Sequence, residues 1–285
     1  MSGEQAAVHR FRHEAMATQF EILIAHEDHE FAAGAALAAF QDIDILEGEL
    51  SRFQPGSDIS RLNAANTGED VVLGFAATDC LLLARDVSEA TAGAFDVTIG
   101  PLFRLWRDDR AVAGDALSAA RASCGWESLA ISTEPPSARK TKVAMEIDLG
   151  GIGKGYALDQ AAELLREWEV ESALLHSGTS TVLALGSAPG SEKTGWPVNA
   201  GPEGGDPVWL ENQALSGSGF EVQGAHIIDP RTGRPCQSEY GLIWAIAPSA
   251  ALSDALSTAF MVMKKAEIIE LCQSQNGIRP VFLEN

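Results

Sequence analysis

Residues 148–156 read Asp-Leu-Gly-Gly-Ile-Gly-Lys-Gly-Tyr, between a predicted strand over 143–149 and a predicted helix over 156–168. Backbone N–H groups in such a glycine-rich turn point outward and can bind phosphate. The stretch is not a Walker loop, because a glycine follows the lysine where that loop needs serine or threonine. It is not a dinucleotide fingerprint, because the third glycine position falls on Tyr156. A plain strand-to-helix turn is the alternative, but Lys154 favours an anionic ligand.

Hydrophobic spacing on both sides of this turn follows the strand period in some segments and the helix period in others. Phe20, Ile22 and Ile24 occupy alternate positions, which predicts a strand over 18–25. Spacings of three and four residues predict an amphipathic helix over 30–50. Further helices are predicted over 75–91, 252–264 and 266–274, and further strands over 174–185, 208–212, 220–228, 242–247 and 280–283.

The order of these elements predicts the fold class and the domain boundaries. Strands and helices mix without strict βαβ alternation, so we expect an α+β fold with mixed sheets and flanking helices. Residues 1–13 are polar and predict a flexible N-terminal arm, which is followed by a single domain over 14–285. Proline and glycine cluster over 187–206, which predicts a long loop because strand patterns resume on both sides.

The overall charge of the chain narrows the choice of partners. The chain has 40 acidic and 20 basic residues among 285, which gives a net charge of −20. A nucleic-acid binder needs a basic surface to displace counterions, so we expect no nucleic-acid partner. Docking on an anionic membrane is disfavoured for the same reason. A phosphate-bearing ligand needs local positive charge that the protein as a whole does not supply.

Cysteine usage and the N-terminal residues bear on the compartment. Cys80, Cys124, Cys236 and Cys272 are scattered with no CxxC pair, which argues against a zinc site and a disulfide framework. The first residues carry no export signal and no lipid-attachment cysteine. No apolar stretch is long enough to span a bilayer. We therefore expect a cytoplasmic protein without membrane insertion, or an exported one if an N-terminal signal was removed.

Residues 253–258 read Ser-Asp-Ala-Leu-Ser-Thr at the start of a predicted helix. Ser253 or Asp254 can serve as the N-cap, which is the commonest role of these residue types at a helix start. The alternative follows from helical spacing, which puts the oxygens of Asp254, Ser257 and Thr258 on one face. A carboxylate with hydroxyls, carbonyls and ligand phosphates is a usual setting for Mg²⁺, so this face is a candidate magnesium site.

Three other segments combine aromatic or polar side chains with turn residues. His226 precedes an Asp-Pro-Arg-Thr-Gly turn at 229–233 and is either a buried core histidine or a proton acceptor. Residues 94–96, Ala-Phe-Asp, lie in a loop that either binds a planar ring or forms a hydrophobic lid with a capping carboxylate. Residues 50–63 form a loop that enters a helix, and an exposed turn with ordinary capping is the simplest interpretation.

Taken in order along the chain, these motifs resemble the ApbE family of FAD:protein FMN transferases. The resemblance runs through Met16-Ala17-Thr18 and residues 51–63, 93–106, 148–159, 216–235 and 254–258. It implies an ApbE-like fold and a magnesium-dependent reaction with FAD as substrate. In that reaction the FAD pyrophosphate is split, FMN is joined through its phosphate to a threonine hydroxyl of a target flavoprotein, and AMP leaves.

The resemblance also implies roles for individual residues. The residues implied to bind FAD are Met16, Phe53, Ala94, Phe95, Asp96, Asp148, Lys154 and Ile228. The implied Mg²⁺ ligands are the Gly151 carbonyl, Asp254, Ser257 and Thr258. His226 is implied to activate the acceptor hydroxyl, which is a poor nucleophile without a base. Because the chain is so acidic, we expect FAD binding to depend strongly on the metal.

Two departures from the family pattern keep other functions open. Phe53 stands where the family has a larger aromatic residue with a polar tip, so stacking is kept while a hydrogen bond is lost. Residues 176–181 read His-Ser-Gly-Thr-Ser-Thr where the family has Gly-Gly-Asp, so a carboxylate is missing unless His176 compensates. An impaired acceptor path predicts an FAD pyrophosphatase that releases free FMN and AMP. Loss of the chemistry predicts a non-catalytic FAD-binding protein.

Overall fold

The computed structural model describes residues 6–108, 112, 114–200, 206–219 and 227–282. The helices are α1 His29–Leu50, α2 Asp58–Ala64, α3 Phe75–Ala90, α4 Gly100–Asp108, α5 Gly114–Ala122, α6 Gly153–Glu167, α7 Ala250–Val262 and α8 Lys265–Ser274. In the part of the chain described, no helix combines the length and the apolar composition needed to cross a bilayer.

The strands alternate irregularly with these helices, which confirms the α+β class. They are β1 Ala7–Ala15, β2 Thr18–His26, β3 Val71–Val72, β4 Leu129–Thr133, β5 Pro136–Lys140, β6 Ala173–Ser177, β7 Thr181–Leu185, β8 Trp196–Val198, β9 Val208–Leu210, β10 Ala214–Gly219, β11 Ile228–Asp229, β12 Arg234–Pro235, β13 Leu242–Ala247 and β14 Arg279–Phe282.

A seven-stranded sheet organises the fold, with the strand order β1-β2-β6-β7-β10-β13-β14. Each neighbouring pair in this sheet is antiparallel. The smaller sheets are β3-β5-β4, β8-β9 and β11-β12, and a parallel bridge joins Ile99 to Glu146. Strands distant in sequence, such as β2 and β6, therefore lie side by side and bring their turns together at one end of the sheet.

Hydrophobic side chains cover both faces of the large sheet. On one face, which we call the helix-side core, β2 packs with helices α1, α3, α6 and α7. On the other face, the strand-side core contains Trp196 of β8 and Leu210 of β9. Strand β6 shows the alternation directly, because Leu175 belongs to the helix-side core and Leu174 to the strand-side core. A smaller third core joins α4, α5 and Ile228.

The N-terminal arm predicted over residues 1–13 is wrong for residues 7–13, which lie in strand β1. Every residue from Ala7 to Ala15 pairs with β2, and the turn between the two strands has positive φ at Met16 and Ala17. Backbone hydrogen bonds to β2 hold β1 at the sheet edge although its side chains are mostly polar. The single domain over 14–285 remains a prediction.

Three predicted strands differ in detail from the structure. Residues 143–149 form no ladder strand, because Ile147 pairs through its backbone with the Asn63 amide and Asp148 N donates to Val97 O. The strand predicted over 174–185 is a hairpin, β6 and β7, with a turn that contains Gly178 at φ +58°. Of the strand predicted over 220–228, residues 220–226 lie outside the described residues.

Helices α6 and α7 touch through their backbones at Gly155. A Cβ atom at this position would overlap the carbonyl of Ala250 and lie 2.8 Å from the Cα of Ala251. Glycine therefore permits an approach that no other residue allows. The contact places the first turn of α6, which carries the predicted phosphate-binding motif, against the first turn of α7, and the predicted metal-binding residues follow in the next turns of α7.

We expect Gly155→Ala to lower the unfolding free energy by about 1–3 kcal/mol, because the added methyl group must push α6 away from α7. Gly48→Ala is the matched control, because Gly48 lies in helix α1 and an added Cβ meets nothing within 4 Å. The control should be neutral or more stable by about 0.5–1 kcal/mol. Thermal unfolding of both variants checks this, and an unchanged melting temperature in Gly155→Ala would contradict the close contact.

Candidate active site

The glycine turn leads from the extended segment at 145–149 into helix α6. Asp148 Oδ1 accepts the Gly150 N–H at 2.9 Å, which tightens the turn. The Lys154 ammonium donates to the Gly150 carbonyl at 2.9 Å. The N-cap residue of α6, Ile152, has no side chain that can cap the helix, and the Asp254 carboxylate accepts the first-turn N–H of Gly155 instead. The turn therefore combines the N-terminus of a helix with a lysine, which is an arrangement suited to an anion.

The cap interpretation of Ser253 and Asp254 is wrong. Helix α7 begins four residues before Asp254, and Ser249 caps it by accepting the Leu252 N–H. The Asp159 carboxylate of α6 accepts the N–H groups of Ala250 and Ala251 at 2.7 and 2.8 Å. Because these two side chains satisfy the helix start, Asp254 is free for another role.

Asp254 is buried against the first turn of α6. Its carboxylate accepts the Gly155 N–H at 3.3 Å. Burial raises the pKa of Asp254, while the positive charge of Lys154 and the Gly155 hydrogen bond lower it. A carboxylate in this setting is costly to ionise unless a cation lies close to it.

Thr258, Gly151 and Phe95 converge beside Asp254. A Cβ atom at Gly151 would lie 3.4 Å from Thr258 Oγ1 and 3.2 Å from Phe95 Cε2. Thr258 is only partly buried, and its hydroxyl lies next to the glycine turn. The groups near one another here are the Asp254 carboxylate, the Thr258 hydroxyl and the backbone of the glycine turn, and each of them offers oxygen atoms. This all-oxygen set fits Mg²⁺, which takes few protein ligands and completes its shell with water and phosphate.

The described residues contain no separate cluster of His, Cys, Asp and Glu side chains that could form another metal site. Across residues 6–108, 112, 114–200, 206–219 and 227–282, no group of three or more such side chains could hold a metal. Ser257, the fourth predicted ligand, is fully buried and donates to the Asp254 carbonyl at 2.9 Å. Thr258 is therefore the more accessible hydroxyl of the two, and metal ligation by Ser257 stays a prediction.

An arginine connects the predicted ring-binding residue Phe53 to the glycine turn. Arg52 forms ion pairs with Asp148 and Glu146, each at 3.3 Å. Its guanidinium carbon lies 4.6 Å from the centre of the Phe53 ring. Because Phe53 is 76% exposed, one face of the ring is open to a planar ligand while Arg52 packs on the ring.

The remaining predicted FAD-binding residues lie in different parts of the fold and differ in burial. Ala94 and Phe95 are buried in the helix-side core. Asp96 accepts the Thr98 N–H at 2.7 Å and caps its own loop, and burial raises its pKa. Met16 is half-buried at the β1–β2 turn, whereas Ile228 is buried in the third core. The loop at 94–96 therefore combines a wall of the site with a capping carboxylate.

His176 does not compensate for the missing carboxylate. It is paired in register with Glu21 and Val182, and Val182 belongs to the strand-side core. Its side chain therefore lies on the face of the sheet opposite α7. Burial lowers the pKa of His176. His226, the predicted base, lies outside the described residues, so its role stays a prediction.

Sequence reasoning missed two residues that shape the site. Arg52 stands beside Phe53 in the stretch that was singled out, but its ion pair with Asp148 joins parts of the chain that are far apart in sequence. Asn63 donates to the Ile147 carbonyl at 2.9 Å and accepts the Ile147 N–H at 2.7 Å, which fixes the segment before the turn. Both lie in the motif at 51–63, so the motif was the available signal.

Comparison with known proteins identifies the family to which this sequence is similar. Residues 16–282 match the model of a family described as the ApbE family. A curated FAD:protein FMN transferase of Haemophilus influenzae is 28% identical over 256 residues, which cover 81% of this chain and 73% of that protein. The corresponding protein of Vibrio cholerae is 28% identical over 243 residues, which cover 78% and 71%.

Solved structures show the same architecture. The Pseudomonas stutzeri flavinyl transferase ApbE, in its apo form, superposes with a TM-score of 0.85 at 27% identity and covers 98% of this chain and 93% of that one. The ApbE protein of Thermotoga maritima superposes with a TM-score of 0.83 at 24% identity, covering 97% and 94%. The second similarity concerns the fold alone.

The Asp159 carboxylate, which caps helix α7, makes the stability of the protein depend on pH. Burial raises the pKa of Asp159 to about 6, and the Ala251 and Ala250 N–H groups offset only part of the rise. An unfolded aspartate has a pKa of about 3.9, so between about pH 4 and 6 the folded state holds more protons. The contribution of Asp159 to the unfolding free energy therefore falls as pH rises through this window and is constant above it.

Replacing this carboxylate with an amide removes the titration. We expect the unfolding free energy of the parent, relative to that of Asp159→Asn, to fall from pH 4 to pH 6 and to stay constant above pH 7. Chemical denaturation of both proteins at matched pH values measures that difference. A difference that is constant across the window would contradict the raised pKa of Asp159.

Proposed function

The chain belongs to the ApbE family and is a transferase of that family, and we propose that it uses Mg²⁺ to move FMN from FAD to a threonine hydroxyl of a target protein. One observation carries the proposal. The buried Asp254 carboxylate, the Thr258 hydroxyl and Gly151 converge beside a glycine turn that carries Lys154. This arrangement suits a metal and a phosphate held side by side.

Asp254, Thr258 and the Gly151 carbonyl are the groups that we propose hold the ion. When bound, Mg²⁺ supplies positive charge that polarises the phosphoryl group and neutralises the departing AMP. The contact between α6 and α7 at Gly155 fixes the spacing of this donor set. Lys154 adds the nearby positive charge that the acidic chain otherwise lacks.

FAD carries two planar ring systems joined by a pyrophosphate, and the site has a surface for each kind of group. The positive N-terminal end of α6 and the Lys154 ammonium attract the phosphates to the glycine turn. Phe53 offers an exposed ring that Arg52 packs against. Phe95 walls the site beside Gly151 and excludes water from it. These contacts orient the pyrophosphate toward the donor set at Asp254.

The proposed reaction exchanges the phosphoanhydride bond of the FAD pyrophosphate for a phosphoester bond to the acceptor. The acceptor Oγ forms a bond to the FMN phosphorus, the bond from phosphorus to the bridging oxygen breaks, and AMP leaves with that oxygen. The hydroxyl proton must pass to a base because a threonine hydroxyl is a poor nucleophile. We propose His226 for that role.

Incubation with FAD, Mg²⁺ and a flavoprotein domain that carries an acceptor threonine tests the proposal. Intact-mass measurement should show the acceptor gaining one FMN, and AMP should appear in equal amount. An acceptor with that threonine changed to alanine should gain nothing. Free FMN and AMP without acceptor modification would instead identify an FAD pyrophosphatase, and bound FAD without turnover would identify a flavin-binding protein.

In the same assay Asp254→Asn separates the metal site from the fold. We expect transfer to fall by about 100-fold or more, a loss typical of removing one preorganised electrostatic group. Stability should be kept or raised, because the variant no longer buries a charge. Ser253→Ala is the matched control on α7, since the Ser253 hydroxyl donates to the Ala245 carbonyl instead. Full transfer by Asp254→Asn at limiting Mg²⁺ would refute the metal assignment.

A further inference from the structure

Ser218 of β10 lies against helix α7, next to the residues that we propose hold the metal. Its hydroxyl is 2.9 Å from Ser257 Oγ and 3.4 Å from Thr258 Oγ1. Ser218 is only partly buried, as is Thr258, whereas Ser257 is fully buried. The hydroxyls of two partly buried residues, Ser218 and Thr258, therefore lie close together at the site, and the buried Ser257 hydroxyl contacts Ser218.

The hydrogen atoms of these hydroxyls can be assigned from their partners. The Ser257 hydroxyl donates to the Asp254 carbonyl at 2.9 Å, so its oxygen is left to accept from Ser218. A serine hydroxyl has one hydrogen and can turn it toward a better acceptor. A phosphate oxygen is such an acceptor, because hydrogen bonds to charged groups are about twice as strong as neutral ones.

We infer that Ser218 contacts a phosphate of the flavin nucleotide by donating its hydroxyl hydrogen, and that Ser257 is the residue that positions it. The inference rests on the proposed function, because it takes FAD as the ligand. If Thr258 helps to hold the proposed metal ion, a phosphate bound to that ion would lie near the Thr258 hydroxyl, and the Ser218 hydroxyl is 3.4 Å from it.

A neutral hydrogen-bond donor such as Ser218 is useful for phosphate binding in a protein with a strong negative charge. The chain carries a net charge of −20, and Asp254 lies in the site itself, so a phosphate meets repulsion on arrival. A hydroxyl that donates to the phosphate adds attraction without adding charge. When Ser218 turns toward the phosphate, Ser257 can turn its hydrogen to the Ser218 oxygen, so neither hydroxyl is left unpaired.

Nucleotide affinity and metal affinity, measured separately, test the inference. For Ser218→Ala we expect FAD in the presence of Mg²⁺ to bind about tenfold more weakly, as expected for one lost hydrogen bond to a charged group. Affinity for Mn²⁺ without nucleotide, followed by electron paramagnetic resonance, should stay within about twofold, a difference well below that of a lost hydrogen bond. Ser218→Cys, which keeps the volume but donates weakly, should show the same loss for FAD.

Ser216→Ala is the matched control, because Ser216 lies on the same strand and bonds to Thr181 at 3.1 Å. It should bind both FAD and Mn²⁺ as the parent does. Ser257→Ala should weaken FAD binding less than Ser218→Ala. The double variant of Ser218 and Ser257 should be no weaker than Ser218→Ala alone, because Ser257 acts through Ser218.

Two results would overturn the inference while the proposed function stands. One is equal affinity for FAD in the parent, Ser218→Ala and Ser218→Cys. The other is loss of Mn²⁺ affinity in Ser218→Ala without nucleotide, which would make Ser218 a metal ligand. A parent that transfers FMN in either case still supports the proposed function. A parent that binds no FAD would overturn both.

Discussion

Helices α6 and α7 meet at Gly155, and this contact buries the Asp254 carboxylate beside the glycine turn. The rest of the site depends on that arrangement. Asp159 and Ser249 satisfy the start of α7, so Asp254 need not cap its own helix. Because burial raises the pKa of Asp254 and Lys154 offsets only part of that rise, the folded protein holds a carboxylate that is best stabilised by a cation. We propose that this carboxylate is where the metal binds.

The large antiparallel sheet packs against α6 and α7 and so supports the contact between these helices. Strand β10 brings Ser218 to α7, while the neighbouring β6–β7 turn ends at the same level of the sheet. Side-chain alternation then decides which polar residues can reach the site. Ser218 lies on the helix side with Thr258, whereas His176 lies on the strand side next to Glu21. The chain that lacks the family carboxylate therefore does not replace it with the histidine two residues earlier.

Much of the fold was predictable from the sequence, and the exceptions have physical causes. Strand β2 and helix α1 carry clear hydrophobic periods, and both were predicted within a few residues. Strand β1 was missed because it is an edge strand whose polar side chains hide the backbone pairing. The site motifs at 148–156 and 253–258 were found because glycines and oxygen-bearing side chains are visible in sequence. Arg52, Asn63 and Ser218 were not found, because their partners lie far away along the chain.

The net charge of −20 argues against a phosphate ligand unless positive charge is supplied locally, and the metal that we propose at Asp254 supplies it. In this account FAD can approach Asp254 only when a divalent ion offsets the negative field. Calorimetric titration of the protein with FAD, in Mg²⁺ and in chelator, tests this claim most directly. We expect the affinity to be at least about tenfold higher with Mg²⁺, which corresponds to about 1.4 kcal/mol. Equal affinity under the two conditions would contradict the account.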